Sequence, residues 1–334
     1  MKKYKEAENI LREVKKATKI LLVLHKSPDP DSVASNLAMY EFLKGLEKKV
    51  EVVSVDRPPD NLSFLPSANK IQTEDLFDKD LSTFDLFIAL DTAATHRLTE
   101  KTAVSFPASL FVINIDHHYL NDNFGTINLV DAKTGSLGEV LYNLFSDWGV
   151  EVTPAIATCL MTGIAGDTGT FRFASGVSSD TFDAASDLLQ KGATFPDIAF
   201  NLNQRISFAT AKFWAVVLES MKMEKAGGYC FIWVAIPFSQ LEELGGPAVN
   251  KDIPETFLAN IEGTDFGIFL VEEKKSVVKG SIRSRTGVNV ALIAKEFGGG
   301  GHKVAAGFRV YGEFRAATKE IKETLERYLE QHEK

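Results

Sequence analysis

Aspartate and histidine recur together in three short segments of this 334-residue chain, although it contains only six histidines. Each segment directly follows a short apolar run. The residues concerned are His25, Asp29 and Asp31; then Asp91; then Asp116, His117 and His118. Carboxylates that converge raise one another's pKa unless cations compensate their charge. Asp oxygens combined with His nitrogens suit Mn²⁺, and also Fe, Co or Zn, whereas an all-oxygen shell would indicate Mg²⁺.

More than five such ligands exceed the need of a single ion, so the set indicates two divalent metals ~3.5–4 Å apart with one bridging carboxylate. Asp29 and Asp31 could also serve as the N-cap and first-turn acid of a following helix. Capping does not explain why the same residue types follow three apolar runs. Asp167 is a further candidate because small residues surround it in Gly166-Asp-Thr-Gly169, although that pattern alone is a turn signal.

A second candidate site, for an anion, lies in the most basic part of the chain. Residues 274–310 contain eight Lys or Arg and a single acid, against a net charge of −8 for the whole sequence. Glycines let backbone N–H groups approach a phosphate closely, and arginine can bind it bidentately. The alternative is a solvated basic face with a flexible glycine loop. The candidate residues are Arg283 and Arg285, expected on one strand face, with Gly299, Gly300, Gly301 and His302.

The elements that must position the first set alternate between strands and helices. Apolar runs predict strands at 19–24, 50–55, 84–90 and 110–115. Helical periodicity predicts helices at 32–46, 136–148, 154–166 and 179–190. The fold class predicted from this alternation is α/β, with a mostly parallel sheet covered by helices on both faces. Because ligands of such sheets bind beyond the carboxyl ends of the strands, we expect the Asp and His residues to meet at one edge.

The second half of the chain predicts a smaller α/β domain with a mixed sheet. Residues 205–223 have the pattern of one long amphipathic helix, and Gly227-Gly228 then breaks it. Further strands are predicted at 229–236, 266–271, 277–283 and 306–310, and further helices at 288–297 and 313–330. The chain is long enough for two domains. The expected organisation is a catalytic domain at 1–195, a helical linker at 196–226 and a substrate-binding domain at 227–334.

Composition excludes several classes of protein. Hydrophobic residues make up 45% and charged residues 25%, the usual mixture of a soluble globular protein. No apolar stretch approaches the ~18 residues of a membrane span, and the N-terminus lacks a signal-peptide core, so a cytoplasmic protein without a membrane partner is expected. Cys159 and Cys230 are the only cysteines, which excludes a disulfide scaffold and a cysteine-based zinc site. The negative net charge argues against coating of long nucleic acid.

The motifs, taken in order, resemble those of the DHH phosphoesterase superfamily, and the resemblance covers nearly the whole chain. They are His25-x-x-x-Asp29-x-Asp31, Asp91, Asp116-His117-His118 and Asp167-Thr-Gly. Gly298–His302 is similar to the GGGH signature of the DHH-associated domain. The run Asp167–Arg172 and the chain length are most similar to the nanoRNase/pAp-phosphatase group. That group degrades very short RNA and removes phosphate from 3′-phosphoadenosine 5′-phosphate (pAp).

The resemblance implies two divalent ions as cofactors, with Mn²⁺ preferred, and a role for each site residue. One ion would be held by His25, Asp29 and Asp91, and the other by Asp31, Asp91, His117 and Asp167, with Asp91 bridging. His118 would contact the scissile phosphate or its leaving group, and Asp116 would orient the ligands. Arg283, the glycines and His302 would hold the other phosphate or the sugar of the substrate.

The implied reaction is metal-assisted phosphoester hydrolysis, in which paired ions generate a hydroxide and stabilise the phosphoryl charge. The substrate would lie between the domains, with a hinge at 205–227. Short oligoribonucleotides, linear dinucleotides such as pApA, and pAp are the expected substrates, and a homodimer is left open. The alternatives are a cyclic di-AMP phosphodiesterase, a RecJ-like exonuclease, a pyrophosphatase or exopolyphosphatase, and a non-catalytic nucleotide sensor. The acidic chain argues against the exonuclease, and the complete ligand set argues against the sensor.

Overall fold

The computed structural model describes residues 2–102, 104–173, 176–244, 246, 257–258 and 260–332, apart from the side chain of His302. The chain divides into two compact units, Met1–Arg205 and Ile206–Lys334. None of the helices in the described ranges combines the length and the apolar character that a membrane crossing requires.

Six parallel strands form the sheet of the first unit, in the order β3-β2-β1-β4-β5-β6. The strands are β1 (Lys19–Leu24), β2 (Lys49–Ser54), β3 (Ile71–Thr73), β4 (Leu86–Leu90), β5 (Phe111–Asp116) and β6 (Ile127–Val130). Every residue of β1 except Lys19 is buried, as expected for a parallel strand covered on both faces. The predicted parallel sheet is confirmed. The edge strands β3 and β6 are too short to show a pattern in the sequence.

Alternate residues of the strands pack into two apolar clusters on opposite faces of this sheet. Leu22 of β1 faces a cluster to which each of the six α-helices described in this unit contributes, whereas Val23 faces the other. The second cluster is covered by loops and by two 3₁₀ turns, Leu76–Asp78 and Leu81–Thr83. The expected α-helices on both faces are therefore found on one face only, because the described segments that join β3, β4 and β5 form loops and 3₁₀ turns. The helices are α1 (Ala7–Lys16), α2 (Pro30–Gly45), α3 (Leu137–Asp147), α4 (Pro154–Asp167), α5 (Ser179–Gln190) and α6 (Phe195–Ala199).

Glycines bring the backbones of α2, α3 and α4 close together. A Cβ atom on Gly138 of α3 would stand 2.7 Å from the carbonyl oxygen of Leu160, and one on Gly166 of α4 would stand 2.7 Å from Cβ of Pro30. Interiors packed this tightly have no room for an added methyl group. These contacts set the first turn of α2 against the end of α4.

The second unit is built on a mixed six-stranded sheet, in the order β11-β12-β10-β9-β8-β7. The strands are β7 (Lys222–Ala226), β8 (Tyr229–Ile236), β9 (Phe266–Lys274), β10 (Val277–Ser284), β11 (Gly300–His302) and β12 (Ala305–Tyr311). β8 and β9 pair in parallel, and the other neighbours are antiparallel. One face packs on α7 (Phe208–Glu219) and α8 (Phe238–Glu243), and the other on α9 (Val290–Lys295) and α10 (Phe314–Gln331). The predicted mixed sheet is confirmed.

The prediction of a single helix over 205–223 is wrong. Helix α7 ends at Glu219, and β7 follows and pairs with β8 across the two-residue turn Gly227-Gly228. Both glycines have positive φ, 54° and 78°, as the tight turns of hairpins require. Strand β7 has the sequence Lys-Met-Glu-Lys-Ala, which is too short and too polar to be distinguished from the end of a helix by periodicity.

The two units divide between Arg205 and Ile206, and not near Gly227 as expected from the sequence. Helix α6 belongs to the first unit, whereas α7 and β7 belong to the second. Residues 196–226 are therefore shared by the two units and do not form a separate linker.

Candidate metal centre

The residues expected to bind metals lie at the carboxyl ends of three neighbouring strands. His25 follows β1, Asp91 follows β4 and Asp116 ends β5, and these strands are adjacent in the sheet. Three overlapping groups of side chains have ligand atoms within 4.8 Å of one another: His25, Asp29 and Asp91; Asp31, His117 and Asp167; and Asp91, His117 and His118. The structure thus brings together all six expected ligands, including Asp167 from the end of α4.

The two carboxylate oxygens of Asp91 face different groups. Oδ2 lies 3.5 Å from Nε2 of His25, and Oδ1 lies 3.3 Å from Nε2 of His117. Asp29 completes the first group, with its Oδ2 3.4 Å from Nε2 of His25. Asp167 completes the second, with its Oδ2 3.1 Å from Nε2 of His117. A carboxylate that turns one oxygen toward each group has the geometry of a bridging ligand.

Asp31 is fully buried, and its carboxyl group lies at the N-terminus of α3. Oδ2 accepts a hydrogen bond from the backbone N–H of Leu137 at 2.5 Å. Oδ1 accepts from the N–H of Gly138 at 3.0 Å and from the hydroxyl of Ser35 at 2.9 Å. The first N–H groups of a helix have no partner within the helix and favour an acidic group. They fix the Asp31 carboxyl group with Oδ2 3.9 Å from Nε2 of His117.

Asp29 is both a helix cap and a candidate ligand. Its Oδ1 accepts a hydrogen bond from the backbone N–H of Ser32 at 2.9 Å, which caps α2. Its Oδ2 faces His25. The Asp29 side chain is 48% exposed, so this group of ligands opens to solvent.

The donor set fits divalent ions. Oδ1 of Asp91 and Nε2 of His117 are buried and have no hydrogen-bond partner among the described residues, which is costly unless another group binds them. Neighbouring ligands of an octahedral ion stand about 3.0 Å apart, which is √2 times a ~2.1 Å bond. Four ligand pairs around Asp91 are 3.1–3.5 Å apart, and the pair of His117 and Asp31 is 3.9 Å apart. Mixed oxygen and nitrogen donors suit Mn²⁺, Fe²⁺, Co²⁺ or Zn²⁺.

The cluster concentrates acidic groups in a buried place. Burial raises the pKa of Asp31 and of Asp167, and neighbouring carboxylates raise both pKa values further. Burial alone would lower the pKa of His25 and of His117, but the two carboxylates beside each imidazole outweigh it and raise both pKa values well above normal. Burial would raise the pKa of Asp91, yet the two imidazoles beside its carboxyl group hold this pKa below its usual range. Positive charge is therefore favoured throughout this cluster.

Each of the three histidines is oriented through Nδ1. Nδ1 of His25 lies 2.9 Å from the carbonyl oxygen of the next residue, and Nδ1 of His117 lies 3.3 Å from the carbonyl oxygen of Thr134. Nδ1 of His118 lies 2.7 Å from Oδ1 of Asp116. A proton on Nδ1 lets each ring donate to that oxygen, so the lone pair of the neutral ring is on Nε2. Such outer hydrogen bonds fix the tautomer of metal-binding histidines.

Sequence motifs did not indicate some residues that hold this site in place. Asn121 donates through Nδ2 to Oδ2 of Asp116 at 2.6 Å, and Oδ1 of Asp116 accepts from the backbone N–H of His117 at 2.8 Å. In the sequence, Asn121 cannot be distinguished from an ordinary turn residue. The start of α3 could be predicted, but its contact with Asp31 could not.

The two arginines expected to bind an anion lie on and beside β10 of the second unit. Arg283 is half-buried within the strand. Arg285 is exposed and lies beyond Ser284, the last residue of the strand, and its backbone N–H donates to the carbonyl oxygen of Asp265 at 2.8 Å. The expectation that both arginines share one strand face is therefore wrong, because the strand ends between them.

The glycine-rich segment is a strand and not a flexible loop. Gly300–His302 forms β11, which pairs with β12. A Cβ atom on Gly299 or Gly301 would collide with the backbone of β12, so this pairing requires both glycines. Gly300 has open space among the described residues where its Cβ would stand. The side chain of His302 lies outside the described residues.

Comparison with family models gives two matches along the chain. The model of the DHH family, N-terminal domain, matches residues 19–164, and the model of the DHHA1 domain matches residues 246–331. The first match contains the residues after β1, β4 and β5. The second contains β11 with its glycines.

Curated proteins and a solved structure are similar over nearly the full length. The bifunctional oligoribonuclease and PAP phosphatase NrnA of Thermus thermophilus is 33% identical over 315 residues, which is 93% of this chain and 90% of that protein. The protein of the same name from Bacillus subtilis is 27% identical over 90% of this chain and 92% of its own. The crystal structure of an exopolyphosphatase-related protein from Bacteroides fragilis has a TM-score of 0.87 at 27% identity, over 97% of this chain and 96% of that chain.

Proposed function

Because the chain belongs to the DHH family and carries a DHHA1 domain, we propose that it is a Mn²⁺-dependent phosphoesterase that converts short oligoribonucleotides, linear dinucleotides and pAp to mononucleotides. The position of Asp91, with one oxygen toward each of two ligand groups, carries this proposal. Paired divalent ions are typical of enzymes that hydrolyse phosphoesters. The relatives named oligoribonuclease and PAP phosphatase, which match 93% and 90% of the chain, narrow the substrate class.

The ions would be held by side chains from both groups around Asp91. The residues are His25, Asp29 and Asp91 for one ion, and Asp31, Asp91, His117 and Asp167 for the other. When bound, the paired ions supply charge that stabilises the phosphoryl oxygens and lowers the pKa of the attacking water. Because each set includes one imidazole nitrogen among oxygens, Mn²⁺ is favoured over Mg²⁺.

His118 is the candidate for direct contact with the reacting phosphate. Its side chain is 32% exposed, against 5% for His25 and 12% for His117, so a substrate can reach it. Nδ1 donates to Asp116 at 2.7 Å, and this hydrogen bond stabilises an imidazolium. A proton held at Nε2 would then bind a phosphoryl oxygen or pass to the leaving oxygen.

The basic part of the second unit is proposed to hold the rest of the substrate. Arg283 is half-buried, and Gly300 leaves its backbone open to an approaching phosphate or sugar. An anchor for a second phosphate favours substrates such as pApA and pAp, which have two phosphate groups. The net charge of −8 is unfavourable for binding a long strand.

A side-by-side product assay with Mn²⁺ tests the proposal. The substrates are pAp, pApA, cyclic di-AMP, pyrophosphate and an RNA of about 24 nucleotides. We expect rapid release of AMP from pAp and pApA and much slower loss of the long RNA. If cyclic di-AMP, pyrophosphate or the long RNA is hydrolysed faster than pAp and pApA, the proposed substrate class is wrong.

Two variants show whether the metal centre is responsible. Asp91→Ala is expected to be inactive on every substrate. Asp122→Asn removes an exposed carboxylate from the loop after β5 and should retain activity. The proposed function would be overturned if the wild type hydrolysed none of these substrates, or if Asp91→Ala were as active as the wild type.

A further inference from the structure

Asn114 is an amide in the middle of a buried strand. It lies in β5 between Ile113 and Ile115 and is 0% exposed. Its Oδ1 has no hydrogen-bond partner among the described residues. A buried polar atom without a partner destabilises a fold. Packing of β5 therefore does not explain an amide at this position.

The nitrogen of this amide holds the turn that follows β4. Nδ2 of Asn114 donates to the carbonyl oxygen of Thr92 at 2.9 Å. Nδ2 of Asn121 donates to the same oxygen at 3.4 Å and to Oδ2 of Asp116 at 2.6 Å. Thr92 directly follows Asp91. Two amides thus converge on one backbone oxygen beside the proposed bridging ligand.

The backbone of Asp91 has an uncommon conformation that depends on its surroundings. Its φ is +57°, in the left-handed region that residues with a Cβ rarely adopt. Such conformations persist only where the surrounding structure holds them. The N–H of Asp91 donates to the carbonyl oxygen of Ile115 at 3.1 Å. Strand β5 therefore holds the turn at two points, through Ile115 at Asp91 and through Asn114 at Thr92.

We propose that Asn114 and Asn121 are positioning residues that hold the Asp91–Thr92 turn and thereby aim the two oxygens of Asp91 at the two metal sites. Asn121 also connects this turn to Asp116, which binds His118. One amide thus connects the turn of Asp91 with the carboxyl group that orients His118. The proposal rests on the proposed function in one respect, namely that Asp91 is a metal ligand.

Asn114→Leu separates positioning from packing. Leucine has the branching of asparagine and removes the unpartnered Oδ1, and the carbonyl oxygen of Thr92 keeps the amide of Asn121 at 3.4 Å as a donor. The melting temperature of the metal-free protein should therefore change little. Affinity for Mn²⁺, measured by isothermal titration calorimetry, should fall about 10- to 100-fold, which is the usual effect of removing a residue that orients metal ligands. Asn121→Ala, at a half-buried position, should lower the Mn²⁺ affinity as well and does not depend on repacking of the core.

Asn143→Leu is the matched control. Asn143 is 5% exposed, and its amide donates to the carbonyl oxygen of Glu139 at 3.0 Å and accepts from the backbone N–H of Lys2 at 3.1 Å. Its removal should leave Mn²⁺ affinity unchanged. Wild-type Mn²⁺ affinity in both Asn114→Leu and Asn121→Ala would overturn the proposal. Loss of affinity only in parallel with loss of thermal stability would also overturn it, in favour of a packing role.

The outcomes distinguish this proposal from the proposed function. If the wild type hydrolyses none of the five substrates while the two variants lose Mn²⁺ affinity as expected, the function is wrong and the positioning role stands. If the wild type hydrolyses pAp and both variants bind Mn²⁺ normally, the positioning role is wrong and the function stands. A wild type that binds no Mn²⁺ would overturn both.

Discussion

Gly163 passes so close to Asp31 that a Cβ atom on it would overlap Oδ1 of the carboxyl group. The same carboxyl group is held by the N–H groups of Leu137 and Gly138 at the start of α3. Asp31 is therefore confined between the backbones of two helices. A glycine within a helix is about 1 kcal/mol less favourable than alanine. The close approach of Asp31 explains why this position of α4 is nevertheless occupied by glycine.

Gly163→Ala is expected to lower the free energy of unfolding by about 1–3 kcal/mol, because the added methyl group must displace Asp31 or separate α2 from α4. Affinity for Mn²⁺ should fall as well, since Asp31 is a proposed ligand. Urea denaturation and calorimetry measure the two effects. Gly45→Ala, at the end of α2, is the control, because its Cβ meets no described atom within 4 Å. If Gly163→Ala is stabilised as much as Gly45→Ala, the methyl group at position 163 does not displace Asp31, and the prediction is wrong.

Asp91→Ala is expected to abolish turnover with the fold intact, and to cost more than Asp29→Ala. Asp91 faces both ligand groups, whereas Asp29 belongs only to the group that contains His25. Loss of a shared ligand disturbs two Lewis acids at once. Calorimetry with Mn²⁺ should show that Asp91→Ala affects both sites and Asp29→Ala mainly one. An Asp91→Ala protein that is folded by circular dichroism and keeps a tenth of wild-type activity would contradict the assignment.

Mn²⁺ should activate the enzyme better than Mg²⁺, because His25 and His117 add nitrogen ligands to sites otherwise built of oxygen. The measurement is the initial rate on pAp after removal of bound metal and titration with each ion. Full activity with Mg²⁺ alone, at concentrations where added Mn²⁺ has no effect, is the result that would count against this preference.

Arg283→Ala and His302→Ala are each expected to reduce kcat/KM on pApA by about tenfold to a hundredfold. Each change removes a proposed charge-assisted contact with the substrate, and such a contact is worth ~1.5–3 kcal/mol. Both variants should hydrolyse a small activated phosphodiester without a second phosphate about as fast as the wild type does, because neither change affects the proposed metal ligands. Arg309→Ala is the control, since this arginine of the same basic segment lies 3.4 Å from Glu273.

The pattern of losses assigns the role of these two residues. Equal losses on the dinucleotide and the small diester would show that Arg283 and His302 serve the chemical step itself. Unchanged rates on both substrates would leave the basic segment as a solvated face.

Asp75 is expected to stabilise the first unit at neutral pH and to lose this effect in acid. It caps the 3₁₀ turn Leu76–Asp78 and accepts hydrogen bonds from Thr99 at 2.6 Å and from the backbone of Phe77 at 2.9 Å and Glu100 at 3.1 Å. Burial would raise the pKa of Asp75, but these hydrogen bonds outweigh it and lower the pKa. The stabilisation is therefore complete above the unfolded value of about 3.9 and declines as the pH falls through the lower folded value.

Asp75→Asn should thus be about 1–2 kcal/mol less stable than wild type at pH 7, since it loses charge-assisted hydrogen bonds. The difference should shrink below a pH of about 4. Urea denaturation at several pH values measures it, with Asp122→Asn, at an exposed position, as the control. A difference that stays constant down to acid pH would show that the charge of Asp75 has no part in its effect.

The sequence by itself determined where the candidate metal ligands meet, because short buried strands have a local signature. The strand predicted over 19–24 is β1, and His25 directly follows it. The carboxyl ends of parallel strands share one edge of a sheet, so the meeting of His25 with Asp91 could be predicted without any long-range information. The mixed sheet of the second unit was predictable for the same reason, as the match of 229–236 with β8 shows.

Local patterns failed where an element is short or polar. Strand β7 was predicted as the end of a helix, and Arg285 was expected to share a strand face with Arg283, although β10 ends at Ser284. A run of five residues fits both a helical and an extended period, and pairing with a neighbouring strand then decides between them. That pairing is a property of the tertiary structure.

Only the tertiary structure decided how the ligands are held, because those contacts join residues far apart in the chain. Leu137 binds Asp31 across 106 residues, and no periodicity encodes that hydrogen bond. Asn114 interrupts an apolar strand, and its amide acquires a role only when the Thr92 carbonyl oxygen is placed 2.9 Å away. A buried donor needs a particular acceptor at hydrogen-bonding distance, and which backbone oxygen arrives there depends on how the whole unit packs.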